Sequence, residues 1–180
     1  GTYCENDLVD ADDQPAACTS QFGFGEHAVV LHQNDGRHFI ARFDSDGQVV
    51  WAHPLANMVV QRESIELTVL LDGQSVAVGG EFCEDGGNGC HLKLQHSSGE
   101  TTVPPYVDEQ TVFVARYSSD GSLSWAKPIA SVGRDRLFDM ATLRDGTIVL
   151  TGALCGSTEG GCGSLFFGDV GLSLNSDKEH

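Results

Sequence analysis

The residues whose types and spacing could do chemistry are six cysteines, a run of carboxylates near the N-terminus and two short acidic turns. Cys83 and Cys90 are separated by seven positions, and so are Cys155 and Cys162. Each pair starts three residues after a glycine, Gly80 or Gly152. The N-terminus carries the same feature: Gly1-Thr2-Tyr3-Cys4 lines up with Gly80-Glu81-Phe82-Cys83 and Gly152-Ala153-Leu154-Cys155, and Cys18 follows after a longer loop. Six cysteines allow fifteen connectivities. Cys4–Cys18, Cys83–Cys90 and Cys155–Cys162 is the one that treats the three copies alike. Loops this short remove about 2–3 kcal/mol of chain entropy each, so the expected task of the bridges is to brace Gly-rich excursions. Zinc is the rival reading. There is no C-x-x-C here, and a lone pair supplies too few ligands for a closed zinc site. Disulfides in turn predict an oxidising address: secreted, at a cell surface or in a periplasm.

The carboxylates raise the question of calcium as a cofactor. Asp44-Ser45-Asp46-Gly47 has the opening of a D-x-D-x-D-G calcium loop. Its counterpart Ser118-Ser119-Asp120-Gly121 keeps the turn and loses the first carboxylate, so turn formation explains both and calcium explains one. Asp7, Asp10, Asp12 and Asp13, with Glu5, form a denser acidic insert in which carboxylates without basic partners could converge on calcium. A solvated loop is the simpler account of them. His27, His32 and His38 fit no defined site. The chain holds no G-x-S-x-G, no H-E-x-x-H and no phosphate-binding P-loop, and no catalytic residue is assigned.

Positioning these groups falls to a repeat. His38-Phe39-Ile40-Ala41-Arg42-Phe43 through Asp46-Gly47 to Trp51-Ala52-His53-Pro54-Leu55 returns as Val112-Phe113-Val114-Ala115-Arg116-Tyr117 through Asp120-Gly121 to Trp125-Ala126-Lys127-Pro128-Ile129. The echo continues through Leu70-Leu71-Asp72-Gly73 and Leu143-Arg144-Asp145-Gly146. Alternating apolar residues broken by Asp-Gly predict strands joined by tight two-residue turns. Helical periodicity is nearly absent. The expected unit is a four-stranded antiparallel meander, with strands near 39–43, 49–51, 66–70 and 75–78 and a disulfide-bearing insert after the last strand. The division is 1–37 as the trailing insert of a preceding repeat, 38–110 as one repeat with its insert, and 111–180 as a second, truncated one. Phe39, Phe113, Trp51 and Trp125 recur in place and are assigned to the core. A tryptophan required in every copy is a packing residue before it is a sugar-stacking platform. Arg42 and Arg116 break the alternation beside these aromatics and are expected to pair with acidic neighbours or cover apolar surface with their stems. Tyr106, within Val103-Pro104-Pro105-Tyr106-Val107, could anchor a partner, but a Pro-stiffened connection before the next unit is the simpler reading.

On these residues the chain resembles the bacterial β-propeller repeat proteins, whose units read F-V-A-[RK]-[FY]-x-x-D-G-x-x-x-W-A. The resemblance covers about two copies. It implies an all-β fold of antiparallel, four-stranded propeller-type blades in tandem, in large proteins that are secreted or surface-exposed. The cysteine pairs and the unit length depart from that pattern. At fewer than three units, against the four to eight blades of a closed ring, the chain is expected to be a fragment or an open assembly.

Charge narrows the partners. Twenty-six acidic against ten basic side chains give a formal net charge of −16, which opposes binding to nucleic acid and to anionic membranes. No apolar run approaches the roughly 20 residues of a membrane span. The expected function is a non-catalytic extracellular scaffold, adhesion or assembly module that binds protein or polysaccharide through variable inserts, or binds itself. The alternative is part of a secreted propeller hydrolase or lyase.

Overall fold

The computed structural model describes residues 19–22, 29–32, 38–56, 65–82, 91–104, 111–130, 135–153, 164–167 and 170–173. Every regular element among them is a β-strand, in the order β1 Thr19–Phe22, β2 Val29–His32, β3 His38–Phe43, β4 Val49–Ala56, β5 Glu66–Val69, β6 Val76–Phe82, β7 Leu92–His96, β8 Gly99–Val103, β9 Thr111–Tyr117, β10 Leu123–Ala130, β11 Arg136–Thr142, β12 Ile148–Ala153, β13 Ser164–Phe167 and β14 Val170–Ser173. All pairings are antiparallel. No helix among the described residues is long and apolar enough to cross a membrane.

The turns differ in detail from the two-residue form expected. Gly47 N–H donates to the Asp44 carbonyl, and Gly121, Gly146 and Gly73 bond in the same way to Ser118, Leu143 and Leu70. The centre of each turn is therefore the pair before the glycine, such as Ser45-Asp46. The glycine itself takes the left-handed conformation that re-aims the chain into the next strand, at φ 78° for Gly47 and 80° for Gly121. Strand registers slip beside several of these turns, between Arg42 and Phe43 and between Leu123 and Trp125.

The single-meander expectation is corrected by the strand order. Hairpin β3–β4 is continued by β7–β8, giving a four-stranded sheet in the order β3-β4-β7-β8. Hairpin β5–β6 leaves that sheet and pairs through β6 with β9 of the second repeat, in a six-stranded sheet ordered β14-β13-β10-β9-β6-β5. The hairpins β11–β12 and β1–β2 stand as separate two-stranded sheets. The six-stranded sheet thus runs across the boundary between the sequence repeats, and the strand orders are open rather than closed. The physical reason lies in β6. From Ala77 to Phe82 it is buried throughout, so it needs a neighbour along both edges and cover on both faces, and a terminal position in a meander would leave one edge bare.

Three layers result. One cluster joins the four-stranded sheet (Ile40, Trp51, Leu55, Leu92, Leu94, Val103) to one face of the six-stranded sheet (Val78, Phe82, Phe113, Ala115, Tyr117). A second joins the other face (Ala77, Val112, Val114, Ile129) to Leu137 and Met140 of β11. Strands β6 and β9 send alternate side chains into both clusters. Phe113 is fully buried and edge-on to Phe82 at 6.2 Å. Trp51 is buried, Trp125 is half-buried against the second cluster, and Phe39 is half-buried with its ring 4.6 Å from Phe22. Gly79 is where two layers come closest: a Cβ there would lie 2.7 Å from Leu137 Cδ2. Beside it the buried Glu81 carboxylate accepts the Leu137 N–H at 3.0 Å, fixing β11 onto β6.

The two repeats make opposite demands on the same glycine. Gly47 and Gly121 share a positive φ, but a Cβ at Gly47 meets nothing within 4 Å, whereas one at Gly121 would lie 2.7 Å from both His53 Nε2 and Ser97 Oγ. Gly47→Ala should therefore cost only the left-handed backbone penalty, about 1 kcal/mol. Gly121→Ala should add an overpacking cost, reaching about 3 kcal/mol or more. Urea unfolding of the two variants side by side checks the difference, and equal costs would mean that the turn is not seated as described.

Candidate functional site

The densest constellation of polar and aromatic groups lies where the second repeat's first turn meets the first repeat. Residues Ser118–Ser122 join β9 to β10, and their backbone carbonyls point at side chains of the other sheet. The Ser119 carbonyl accepts from Arg42 Nη1 at 2.7 Å and from Trp51 Nε1 at 3.1 Å. The same guanidinium reaches the Gln74 carbonyl at 3.3 Å. Ser97, in the β7–β8 turn, donates its N–H to the Gly121 carbonyl at 3.1 Å and its hydroxyl to the Asp120 carbonyl at 2.6 Å. Tyr117 O–H donates to the Gln95 carbonyl at 3.2 Å. Under the turn, Trp51, His53 and Tyr117 stack with ring centroids 5.3–6.1 Å apart and within 24° of parallel.

Burial sets the electrostatics of this stack. The Tyr117 hydroxyl is pushed well above its ordinary range by desolvation, so it stays protonated and donating. Burial likewise lowers His53 below 6.5, against a smaller upward pull from the Gly121 backbone and with His96 adding to the lowering. His53 Nε2 is buried without a hydrogen-bond partner. Gly121 fills the space beside it, as the close approach to a Cβ there demonstrates. The arrangement is a packed junction that keeps its histidine neutral; the chemistry it performs is recognition of one repeat by the next. Its polar anchor is a backbone carbonyl, which no pattern of side-chain types could announce. The aromatic signal was legible at Trp51; the replacement of Phe43 by Tyr117 in the second copy is a signal that the sequence reading did not use.

The acidic turns do local work. Asp44 Oδ1 accepts the N–H groups of Asp46 and Gln48 at 3.0 and 2.8 Å. Asp72 does the same for Gln74 and Ser75 at 2.8 and 2.6 Å. These bonds, led by those from Ser75, hold Asp72 down to about 2, with Arg116 at 3.6 Å adding to the effect. Asp120 and Asp145 are lowered by the bonds from Ser122 and Thr147. Among the described residues no group of three or more His, Cys, Asp or Glu side chains is placed to hold a metal ion. Cys4, Cys18, Cys83, Cys90, Cys155 and Cys162, together with Asp7, Asp10, Asp12, Asp13, His27 and Tyr106, lie outside the described residues.

One further cavity is described, a cleft of about 200 Å³ where β11–β12 meets the six-stranded sheet. Val112, Ile129, Leu137 and Leu150 line it with Arg136 and Gly152. It is an apolar gap between the two layers. Comparison of the chain with protein-family models, with curated proteins and with solved structures finds no match.

His53 gives the junction a pH signature. Its folded form binds a proton more weakly than its unfolded form, so the unfolded chain holds more protons between the lowered folded value and 6.5. The stabilisation is complete above that window and drains away as pH falls through 6.5. Denaturant midpoints measured from neutral pH down to about 5 should decline more steeply for the parent chain than for His53→Gln. Parallel profiles would show that the histidine is solvated.

Proposed function

We propose that the chain is a non-catalytic extracellular scaffold, a section of a β-propeller-type repeat array that presents its inserts to protein or polysaccharide, or joins like units to one another. The observation that carries this reading is the junction itself. The residues that recur in the sequence, Arg42, Trp51 and the turn of the next copy, are spent on seating one repeat against another. In this reading the cysteine-bearing stretches in which the copies diverge, 83–90 and 154–163, make the contacts with other molecules. Layers packed face to face, the central one joining hairpin β5–β6 of one repeat to the first hairpin of the next, support the propeller-type reading of the array. Like-sign surface charge suits a protein that stays soluble outside the cell. Three local cysteine pairs suit an oxidising compartment.

Two measurements test this reading. Intact mass after alkylation without reductant should show no added groups if the six cysteines pair as this reading requires; six added groups would remove the extracellular address. Affinity electrophoresis through gels containing neutral and acidic polysaccharides, with an assay for new reducing ends, should give retardation without cleavage. New reducing ends, or unsaturated ends from a lyase step, would make the chain an enzyme and overturn the scaffold reading.

A further inference from the structure

Among the described residues there is one complete repeat-to-repeat interface, between β6 and β9, and each half of it recurs in open form. The turns and ladders set the correspondence. Val76 of β6 pairs with Val69, and Ile148 of β12 pairs with Thr142 in the same place after the turn. Phe43 ends β3 as Tyr117 ends β9. In the six-stranded sheet β6 receives β9 along its second edge; among the described residues β12 has only β11, and β3 has only β4.

Exposure follows that difference position by position. Tyr117 is 0 % exposed, and Phe43 at the same repeat position is 49 % exposed. Ala77 of β6 is 0 % exposed, and Val149 of β12 is 40 % exposed. Met140 of β11, covered by the preceding layer, is 6 % exposed, while Leu67 of β5 is 51 % exposed. Leu70 is buried and Leu143 exposed. The turns repeat the contrast. Ser118–Ser122 sits on Trp51, whereas the Asp44–Gln48 turn projects into open space at Gly47. Trp125 is half-buried, and Arg116 Nε is buried without a hydrogen-bond partner, where Arg42 in the first repeat holds the Ser119 carbonyl.

We infer that a second copy of this chain docks head to tail, its β3 adding to the free edge of β12. The β6–β9 ladder pairs Val76 with Tyr117, Val78 with Ala115 and Gly80 with Phe113. The docked ladder then sets Ile148 opposite Phe43, Leu150 opposite Ala41 and Gly152 opposite Phe39. Phe43 of the incoming copy lies over Trp125 as Tyr117 lies over Trp51, its Ser45 carbonyl comes to the Arg116 guanidinium and the Trp125 indole, and its Leu67 and Val69 cover Leu143 and Val149. The contact is heterologous, one surface meeting a different one, so it propagates into an open series unless the geometry closes a ring. The β1–β2 hairpin rests on β3–β4 through Phe22 without joining a sheet. It follows the first cysteine pair as β13–β14 follows the last, so docking exchanges one hairpin for the other on that face.

This inference deepens the scaffold reading and rests on it for a biological role, but the test separates the two. Sedimentation velocity over a concentration series would be run on the full chain, on Phe43→Lys, on Val149→Lys and on an equimolar mixture of the two variants. Both substitutions fall on exposed side chains, and thermal melts confirm folding. A lysine also reduces the net negative charge, so loss of association would run against the change in repulsion. The parent should grow in size with concentration, each variant alone should stay monomeric, and the mixture should stop at a dimer, because only one sound β12 edge and one sound β3 edge remain. A parent that is monomeric throughout, a Phe43→Lys variant that still associates with itself, or a monomeric mixture overturns the head-to-tail contact. Polysaccharide retardation of a strictly monomeric chain would leave the scaffold reading standing while this inference fails.

Discussion

The ladder between β6 and β9 is the constraint on which the rest of the structure depends. It is the hydrogen-bonded seam between the first repeat and the second, running from Val76 opposite Tyr117 to Phe82 opposite Thr111. Because side chains alternate across a strand, these two strands feed both clusters: Val78, Phe113 and Ala115 toward the four-stranded sheet, Ala77, Val112 and Val114 toward β11–β12. A slip of one residue in this register would turn both sets to the wrong layers at once. Local hairpins could form without the seam. Their apolar faces would then have nothing to pack against, and isolated two-stranded hairpins are marginal in water.

Around this seam the polar groups act as locators. Arg42 and Trp51 grip a carbonyl of the next repeat's turn, Glu81 grips an amide of β11, and Ser97 closes over the far side of the turn. Each of these four side chains has a backbone partner whose position depends on the register, so the bonds report correct stacking as well as contributing to it. The aspartates are the opposite case. Exposed and bonded to their own turns, they define hairpin geometry and leave the large negative charge spread over the surface.

The repeat also explains why exposed apolar side chains concentrate where they do. Phe43, Leu67, Leu143 and Val149 occupy positions that are covered wherever the neighbouring repeat is present. Their exposure tracks the presence of a neighbouring layer among the described residues, which is the behaviour of quasi-one-dimensional proteins in which each unit contacts only its neighbours.

Much of this was legible in the residues. Alternation at Phe39-Ile40-Ala41-Arg42-Phe43 marked a strand, Asp-Gly marked the turns, and the recurrence of Trp51 at Trp125 marked a position inside the repeat. These are local properties: side-chain period, turn chemistry and the apolar content of a few consecutive residues determine them within one hairpin. The partner of each hairpin was decided elsewhere. Hairpin β5–β6 follows β3–β4 directly in the chain yet joins β9, because the doubly buried β6 finds along β9 both a ladder for its edge and cover for its faces. The carbonyl of Ser119 became an anchor only when that pairing set the turn above Trp51. Sequence by itself determined that this protein is all-β, antiparallel and repetitive. Which strands share a sheet, which glycine must stay a glycine and which aromatic faces are left open were decided by tertiary structure, since edge pairing and layer packing act between residues far apart in the chain.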